Sequence, residues 1–142
     1  MVRRPGRLLL AAVLLVRAAG ASAQTPPDAD VEAAGRIVVQ QLEAFRRDDF
    51  DTAFSFASAE IHELFDRARF ETMVRGGYPE IARSTFASID GSQRGPAGRL
   101  YLLVRVRGAN GQGVEAVYEM VLEGGQWRIN GVVTRPSTDE KT

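Results

Sequence analysis

Apolar and polar residues alternate with a period of two in three successive segments between Arg99 and Thr134. Such alternation is typical of antiparallel strands that bury one face and expose the other. A two-residue turn at Gly124-Gly125 pairs Leu122 with Trp127, both on the inward face. The residues predicted to point inward are Leu100, Leu102, Val104, Val106, Val114, Ala116, Tyr118, Met120, Leu122, Trp127, Ile129, Gly131 and Val133.

The turn at Asn110-Gly111 follows a different rule. This dipeptide favours a two-residue hairpin turn, but such a turn would pair outward Arg107 with inward Val114. Residues that face each other across two strands must point to the same side of the sheet. We therefore expect a loop of three or five residues, which places Arg107 or Arg105 opposite Glu115.

The segment before the sheet has helical periodicity. A first helix, which Asp28 or Asp30 can cap, places on one face Val31, Ala34, Val38, Leu42 and Phe45. Three shorter helices follow. Asp48-Asp49 and Ser58 can cap the first two, and Gly76-Gly77 is predicted to close the third in the left-handed conformation. Their predicted inward residues are Phe50, Ala53, Phe54 and Ala57, then Ile61, Leu64 and Phe65, then Phe70, Met73 and Val74.

A weaker strand is predicted from Arg83 to Asp90, with a bulge or bend because Phe86 and Ile89 break strict alternation. A loop from Gly91 to Gly98 follows, and residues 136–142 form a polar tail. The fold class is therefore α+β, with N-terminal helices packed on a curved four-stranded antiparallel sheet. We expect one domain over residues 24–135.

The first 23 residues have the pattern of a secretory signal peptide. Three arginines precede the apolar run Leu8 to Val16, and Ala21-Ser22-Ala23 supplies a small-residue cleavage site. An apolar run of nine residues is shorter than the roughly 20 that span a bilayer. We expect a periplasmic or secreted protein that has no membrane segment after cleavage.

Charge and composition narrow the function classes. The signal segment holds four of the 18 basic residues and none of the 18 acidic ones, so the remainder has a net charge of −4. A mildly acidic domain gives no electrostatic basis for binding nucleic acid. The chain has no cysteine, so an exported domain must be stabilised by its core rather than by disulfides. The sequence predicts no cofactor.

Several short motifs together resemble a known family. They are Gln41-Leu42-Glu43-Ala44-Phe45, Asp48, Ala53-Phe54-Ser55-Phe56-Ala57-Ser58, Phe65, Phe70, Met73-Val74, Gly77-Tyr78-Pro79 and Trp127-Arg128-Ile129-Asn130-Gly131. With helices first and a curved sheet after them, the chain resembles the nuclear transport factor two-like fold, also called cystatin-like or SnoaL-like. More narrowly, it resembles an uncharacterised family of exported bacterial proteins with that fold. The resemblance implies a cone-shaped cavity between helices and sheet, but no particular activity.

Four aromatic residues are candidates for the lining of that cavity: Phe54, Tyr78, Tyr118 and Trp127. Tyr78 lies between a glycine pair and a proline, at the junction of helices and sheet, and Tyr118 points inward in the middle of the sheet. The simpler interpretation of Tyr78 is core packing with a hydrogen-bonded hydroxyl. Trp127 is expected to seal the end of the core.

The charged candidates have simpler interpretations. His62 is the single histidine and lies off the predicted apolar stripe, so we expect it on the surface. Asp48 and Asp49 lie at a helix junction, where capping explains them. The sequence has no metal-ligand cluster with suitable spacing, no phosphate-binding glycine loop and no nucleophile–base pair.

The outer face of the sheet is less polar than a fully solvated face. Tyr101, Leu103, Val117 and Val121, with Val132, lie there among arginines and glutamates. This mixture is consistent with a sheet-to-sheet homodimer, and equally with an ordinary surface that has scattered apolar residues.

Two functions remain open. The first is a non-catalytic binding module for an unknown ligand, either a small apolar molecule in the cone or a protein partner. The alternative is a small lyase or isomerase that uses an inward acid or base, which rests on fold analogy alone. The two differ in whether an ionisable group lies inside the cone, and the sequence favours binding.

Export with cleavage after Ala23 predicts a mature protein that begins at Gln24. Intact-mass measurement on the protein recovered outside the cytoplasm checks this. A mature start at any other residue contradicts the predicted cleavage site.

Overall fold

The computed structural model describes residues 28–138. The predicted signal segment and residues 139–142 of the predicted tail lie outside the described residues. Within residues 28–138, five helices precede a four-stranded antiparallel sheet. The sequence predicted this order of helices and sheet, but with four helices and without the short helix that begins at Pro79. The helices are α1 (Ala29–Arg46), α2 (Phe50–Ser55), α3 (Ala59–Leu64), α4 (Arg67–Gly77) and α5 (Pro79–Ala82). The strands are β1 (Ser84–Arg94), β2 (Leu100–Gly108), β3 (Gly113–Glu123) and β4 (Gln126–Pro136), in that spatial order.

Side-chain caps begin the first four helices. Asp28, Asp49, Ser58 and Asp66 each accept a hydrogen bond from a backbone N–H of the first turn. These bonds satisfy donors that have no partner inside the helix. Pro79 begins α5, where its missing N–H costs nothing. The caps explain why so many short helices follow one another over about 50 residues without long loops.

Helix α1 packs across the inner face of the sheet. Its stripe, including Val38, Leu42 and Phe45, is fully or almost fully buried. The approach is closest at Gly35, where an added Cβ would lie 3.2 Å from Ile89 Cδ1 in β1. The apolar positions of β2 and β3 form the other half of this core, since Leu102 and its inward neighbours are buried.

The register at both hairpins confirms the argument from face parity. Leu122 pairs with Trp127 across Gly124-Gly125, and both glycines have the positive φ that this tight turn requires. At the other hairpin the loop is longer than two residues, and Arg105 lies opposite Glu115.

Strand β1 is longer than the sequence predicted. It continues to Arg94, so the first half of the predicted loop from Gly91 is a strand. Backbone pairing with β2 supplies the hydrogen bonds there, and an edge strand needs no alternating pattern to form them. The predicted irregularity is confirmed, because the register shifts between Ser84 and Phe86 and again between Ile89 and Gly91.

A bulge in β4 reverses the predicted facing of its second half. Gly131 pairs with Glu119, but Ile129 pairs with the next residue, Met120, so Asn130 is an extra residue. Beyond it Val132, not Val133, points inward, and Val133 is 71% exposed. The strand also extends to Pro136, the first residue of the predicted tail.

Three smaller predictions were wrong. Leu64 and Leu122 were expected inside, but they are 62% and 54% exposed; Leu64 is the last residue of α3, and Leu122 is the last but one of β3. Gly76 and Gly77 were expected to end their helix in the left-handed conformation. Neither has a positive φ, and the stop comes from Tyr78-Pro79 instead.

The contrast between Leu42 and Leu64 gives a stability test. Leu42→Ala should lower the free energy of unfolding by about 2–5 kcal/mol, because it removes fully buried methyl groups and leaves a void. Leu64→Ala should change it by no more than about 0.5 kcal/mol. Urea unfolding of both variants checks the pair. Equal destabilisation would contradict the placement of α3 at the surface.

Candidate functional site

A cavity of about 280 Å³ lies between the helices and the inner face of the sheet. Its lining combines one amide, two tyrosines, a backbone glycine and otherwise apolar side chains. The lining residues are Gln41, Phe45, Ala57, Ile61, Phe65, Phe70, Met73, Val74, Tyr78, Ile81, Tyr118, Ile129, Gly131 and Val132. Small-molecule sites in proteins are concave and mostly apolar with few polar groups, so this cavity is the candidate functional site.

The bulge in β4 shapes the sheet wall of the cavity. It turns Val132 inward to pair with Tyr118, and both residues line the space. A polar chain holds the bulge. The Ser58 hydroxyl is 2.6 Å from Asn130 Oδ1, and Asn130 Nδ2 donates to Glu119 Oε2 at 3.2 Å. The buried Ser58 thereby ties the start of α3 to the strand that forms the wall.

The junction between α2 and α3 covers the edge of β4. Ser58 N donates to Ile129 O, and Ile129 N donates to Phe56 O, each at 2.9 Å. These bonds make a single parallel bridge between Ala57 and Ile129, both of which line the cavity. The covered edge therefore also closes one side of the cavity.

Helix α4 supplies Phe70, Met73 and Val74 to the opposite wall. An ion pair between Arg67 and Asp51, at 2.8 Å, links its outer side to α2. Glu71 accepts hydrogen bonds from Arg67 and Arg75, which lower the pKa of its carboxyl group. The guanidinium of Arg75 lies 4.5 Å from the centroid of the buried Phe50 ring.

The polar atoms of the cavity differ in their partners. The Tyr78 hydroxyl donates to Val132 O at 3.2 Å, and Gln41 Nε2 donates to Ala53 O at 3.0 Å. The Tyr118 hydroxyl is fully buried and has no hydrogen-bond partner among residues 28–138. Burial raises the pKa of Tyr118 far above its usual value, so its hydroxyl stays protonated and neutral.

The structure separates the four predicted pocket residues into two pairs. Tyr78 and Tyr118 line the cavity. Phe54 is partly buried and its ring packs against those of His62 and Phe70, and Trp127 is buried in the core. Neither Phe54 nor Trp127 is among the lining residues.

Sequence reasoning missed Gln41 and Val132. Gln41 is 4% exposed and lies between Val38 and Leu42 on the buried stripe of α1, so its spacing was a usable signal. A polar residue on an apolar stripe is worth noting because its burial needs a partner. Strand alternation predicts Val132 on the outer face, and no local sequence pattern indicates the bulge that turns it inward.

The charged candidates lie outside the cavity. His62 is exposed, and its Nε2 is 2.9 Å from Phe54 O. Asp49 caps α2, and the hydrogen bond from Thr52 N lowers the pKa of its carboxyl group. Asp48 pairs with Arg83 and Arg75 at 2.9 and 3.3 Å.

The outer face of the sheet carries an apolar row flanked by ion pairs. Leu103, Val117 and Val133 are adjacent on β2, β3 and β4. Tyr101 and Val121 are partly exposed on the same face. Ion pairs between Arg135 and Glu115 and between Arg99 and Glu119 lie on either side of the row. Val133 takes the place predicted for Val132, because of the bulge.

No group of three or more histidines, aspartates or glutamates in residues 28–138 is arranged to hold a metal ion. No helix in that range has the length and apolar content to cross a bilayer.

Comparison with solved structures supports the fold. The 1.8 Å structure of Aln2 from a Streptomyces species superimposes with a TM-score of 0.53 and 15% identity, covering 80% of this chain and 94% of that one. RPA3114, a SEC-C motif containing protein from Rhodopseudomonas palustris, gives a TM-score of 0.44 and 17% identity, over 72% and 88% of the two chains. At 15% identity the likeness to Aln2 concerns the fold alone. The likeness to RPA3114, with a TM-score below 0.5, is too weak to support a conclusion.

Comparison of sequences identifies the family. No curated protein matches the chain. A family model described as a domain of unknown function, DUF4864, matches residues 27–142. This match covers every element of the described fold, from the cap of α1 to the end of β4. The chain therefore belongs to the DUF4864 family.

Proposed function

We propose that this domain binds a small, largely apolar molecule in the cavity between its helices and its sheet. One observation carries the proposal: a cavity of about 280 Å³ with mainly apolar walls lies between the helices and the sheet and opens to solvent on one side. Apolar walls in contact with water are less favourable than apolar walls in contact with apolar groups, and small-molecule sites are typically concave and mostly apolar. A ligand that fills the space recovers those contacts.

The volume limits the size of the ligand. An apolar cavity of about 150 Å³ is known to hold benzene, so about 280 Å³ suits a molecule of roughly ten to twelve non-hydrogen atoms. Ile61, Phe65 and Met73 line the cavity and are only partly buried, which gives it a side close to solvent. A fused bicyclic hydrocarbon skeleton has a suitable size.

The lyase or isomerase alternative has less support. General acid–base catalysis needs a group that takes up or releases a proton near the working pH. Burial moves the pKa of the lining residue Tyr118 further from neutrality. A neutral phenol there can donate a hydrogen bond but does not act as a base.

We also propose that the domain is an exported member of the nuclear transport factor two-like group. The basic and apolar pattern of the first 23 residues supports export to the periplasm or medium. The order of elements, with capped helices before an antiparallel sheet, and the fold shared with Aln2 support the structural assignment.

A fitting apolar molecule should stabilise the folded protein. At about 100 times its dissociation constant, tetralin should add about 2.7 kcal/mol and raise Tm by roughly 10 °C, because it binds the folded state only. Differential scanning calorimetry measures the shift. Val132→Phe, which fills the cavity, should abolish the response, whereas Leu64→Ala should keep it.

The absence of any stabilisation by tetralin or by other apolar compounds of similar size would contradict the proposal. A response that survives in a folded Val132→Phe variant would place the binding site elsewhere on the molecule.

The outer sheet face supports a second proposal, a homodimer formed through the row Leu103, Val117 and Val133. Val117 and Val133 are 40% and 71% exposed, and the row is continuous across three strands. Charges of both signs lie on each side of it, so a second copy could place arginines opposite glutamates.

Val117→Glu should convert such a dimer into monomers, because it places a charge in the middle of the apolar row. Sedimentation velocity measures the outcome, and Leu64→Glu, at an exposed position on α3, is the matched control. A wild-type protein that is monomeric at high concentration would rule out the dimer.

A further inference from the structure

We infer that the ligand of the cavity carries a neutral oxygen acceptor, such as a ketone carbonyl, and that this oxygen accepts a hydrogen bond from the Tyr118 hydroxyl. This inference rests on the proposed binding function and specifies the class of ligand. Tyr118 would thus be the residue that determines ligand specificity.

The Tyr118 hydroxyl makes no hydrogen bond within the described part of the protein. The residue is only 1% exposed. A buried polar group without a partner costs about 1–3 kcal/mol, so such groups nearly always find one. Because Tyr118 is one of the residues that line the cavity, a ligand bound there lies beside the residue that carries this hydroxyl.

The other two polar side chains of the cavity, Tyr78 and Gln41, donate to backbone carbonyl groups. The Tyr78 hydroxyl is already bonded to Val132 O, and Gln41 Nε2 is bonded to Ala53 O. Their positions therefore serve the protein's own backbone. Of the two cavity hydroxyls in the described structure, that of Tyr118 is the one left without a partner, and the Gln41 amide keeps one further N–H.

The lining of the cavity disfavours a charged ligand. Apart from the Gln41 amide and the two hydroxyls, the side chains that line the cavity in the described part of the chain are apolar. A carboxylate or ammonium group would lose its hydration there and gain no counter-charge, which costs far more than one hydrogen bond returns. A carbonyl oxygen accepts from a neutral phenol without that cost.

A matched set of three probes tests this inference on the purified protein. β-Tetralone and tetralin share a bicyclic skeleton and differ in the carbonyl, and naphthoate carries a charged group on a skeleton of similar size. Isothermal titration calorimetry should show that β-tetralone binds the wild-type protein about five- to ten-fold more tightly than tetralin, the range expected for one hydrogen bond. Naphthoate should bind more weakly than either.

The variant Tyr118→Phe keeps the ring and removes the hydroxyl. In this variant β-tetralone and tetralin should both bind, with about equal affinity. Since this variant removes a polar atom that lacks a partner, its thermal stability should not fall. Tyr78→Phe is the control, because the hydroxyl it removes belongs to the bond with Val132, so it should keep the preference.

Each contrary result has a distinct meaning. Equal affinity for the ketone and the hydrocarbon in the wild-type protein overturns the inference about Tyr118 but leaves ligand binding intact. A ketone preference that persists in Tyr118→Phe, or a higher affinity for naphthoate, also overturns it. Failure of all three probes to bind overturns the proposed function and this inference with it.

Discussion

The inner face of the sheet is wider than one helix can cover, and the rest of the structure follows from this mismatch. Neighbouring strands lie about 4.8 Å apart, so four strands span about 14 Å between their outer axes, whereas a packed helix covers about 10 Å. Helix α1 crosses the face from β1, where Gly35 allows it to approach Ile89 closely, to β4. The remaining area is left to four short helices, none longer than 11 residues. Short capped helices joined at angles leave space between them, and that space is the cavity.

One irregularity makes this arrangement specific. The extra residue Asn130 reverses the alternation of β4, so that Val132 joins the cavity wall and Val133 goes to solvent. The same residue bonds Ser58 at the start of α3 and Glu119 on the neighbouring strand. The bulge therefore couples three features: the facing of β4, the position of the helical cover and the shape of the cavity. Bulges next to binding sites often redirect side chains in this way.

The sequence predicted the elements that have a periodic signal. The register at Gly124-Gly125 and the rejection of a two-residue turn at Asn110-Gly111 followed from face parity alone, and both agree with the structure. The predictions that were wrong lie where periodicity carries no information. The strand beyond Gly91 is held by backbone pairing, the facing of Val132 depends on one extra residue, and the exposed Leu64 is the last residue of α3.

The candidate site was only partly predictable for the same reason. Tyr78 and Tyr118 could be placed because one lies at a rigid junction and the other follows strand alternation. Trp127 obeys the same alternation and is also buried, yet it is not among the lining residues, although Ile129 two positions away is one of them. Alternation gives the side of a sheet to which a residue points, but not which opposing residues it meets. The place where the helices leave a gap above the sheet depends on how all the helices pack together.

The unpaired hydroxyl of Tyr118 lowers folding stability, and this loss is related to the proposed function. In the middle of a packed sheet, phenylalanine would provide the same ring contacts without burying a hydroxyl that lacks a partner. Proteins that depart from the most stable local choice tend to do so at functional sites. Tyr118 lies at the cavity wall, whereas the inward residues of β2, including its direct partner Leu102, are apolar. A polar atom left without a partner next to an apolar void has the properties of a binding group whose partner arrives with the ligand.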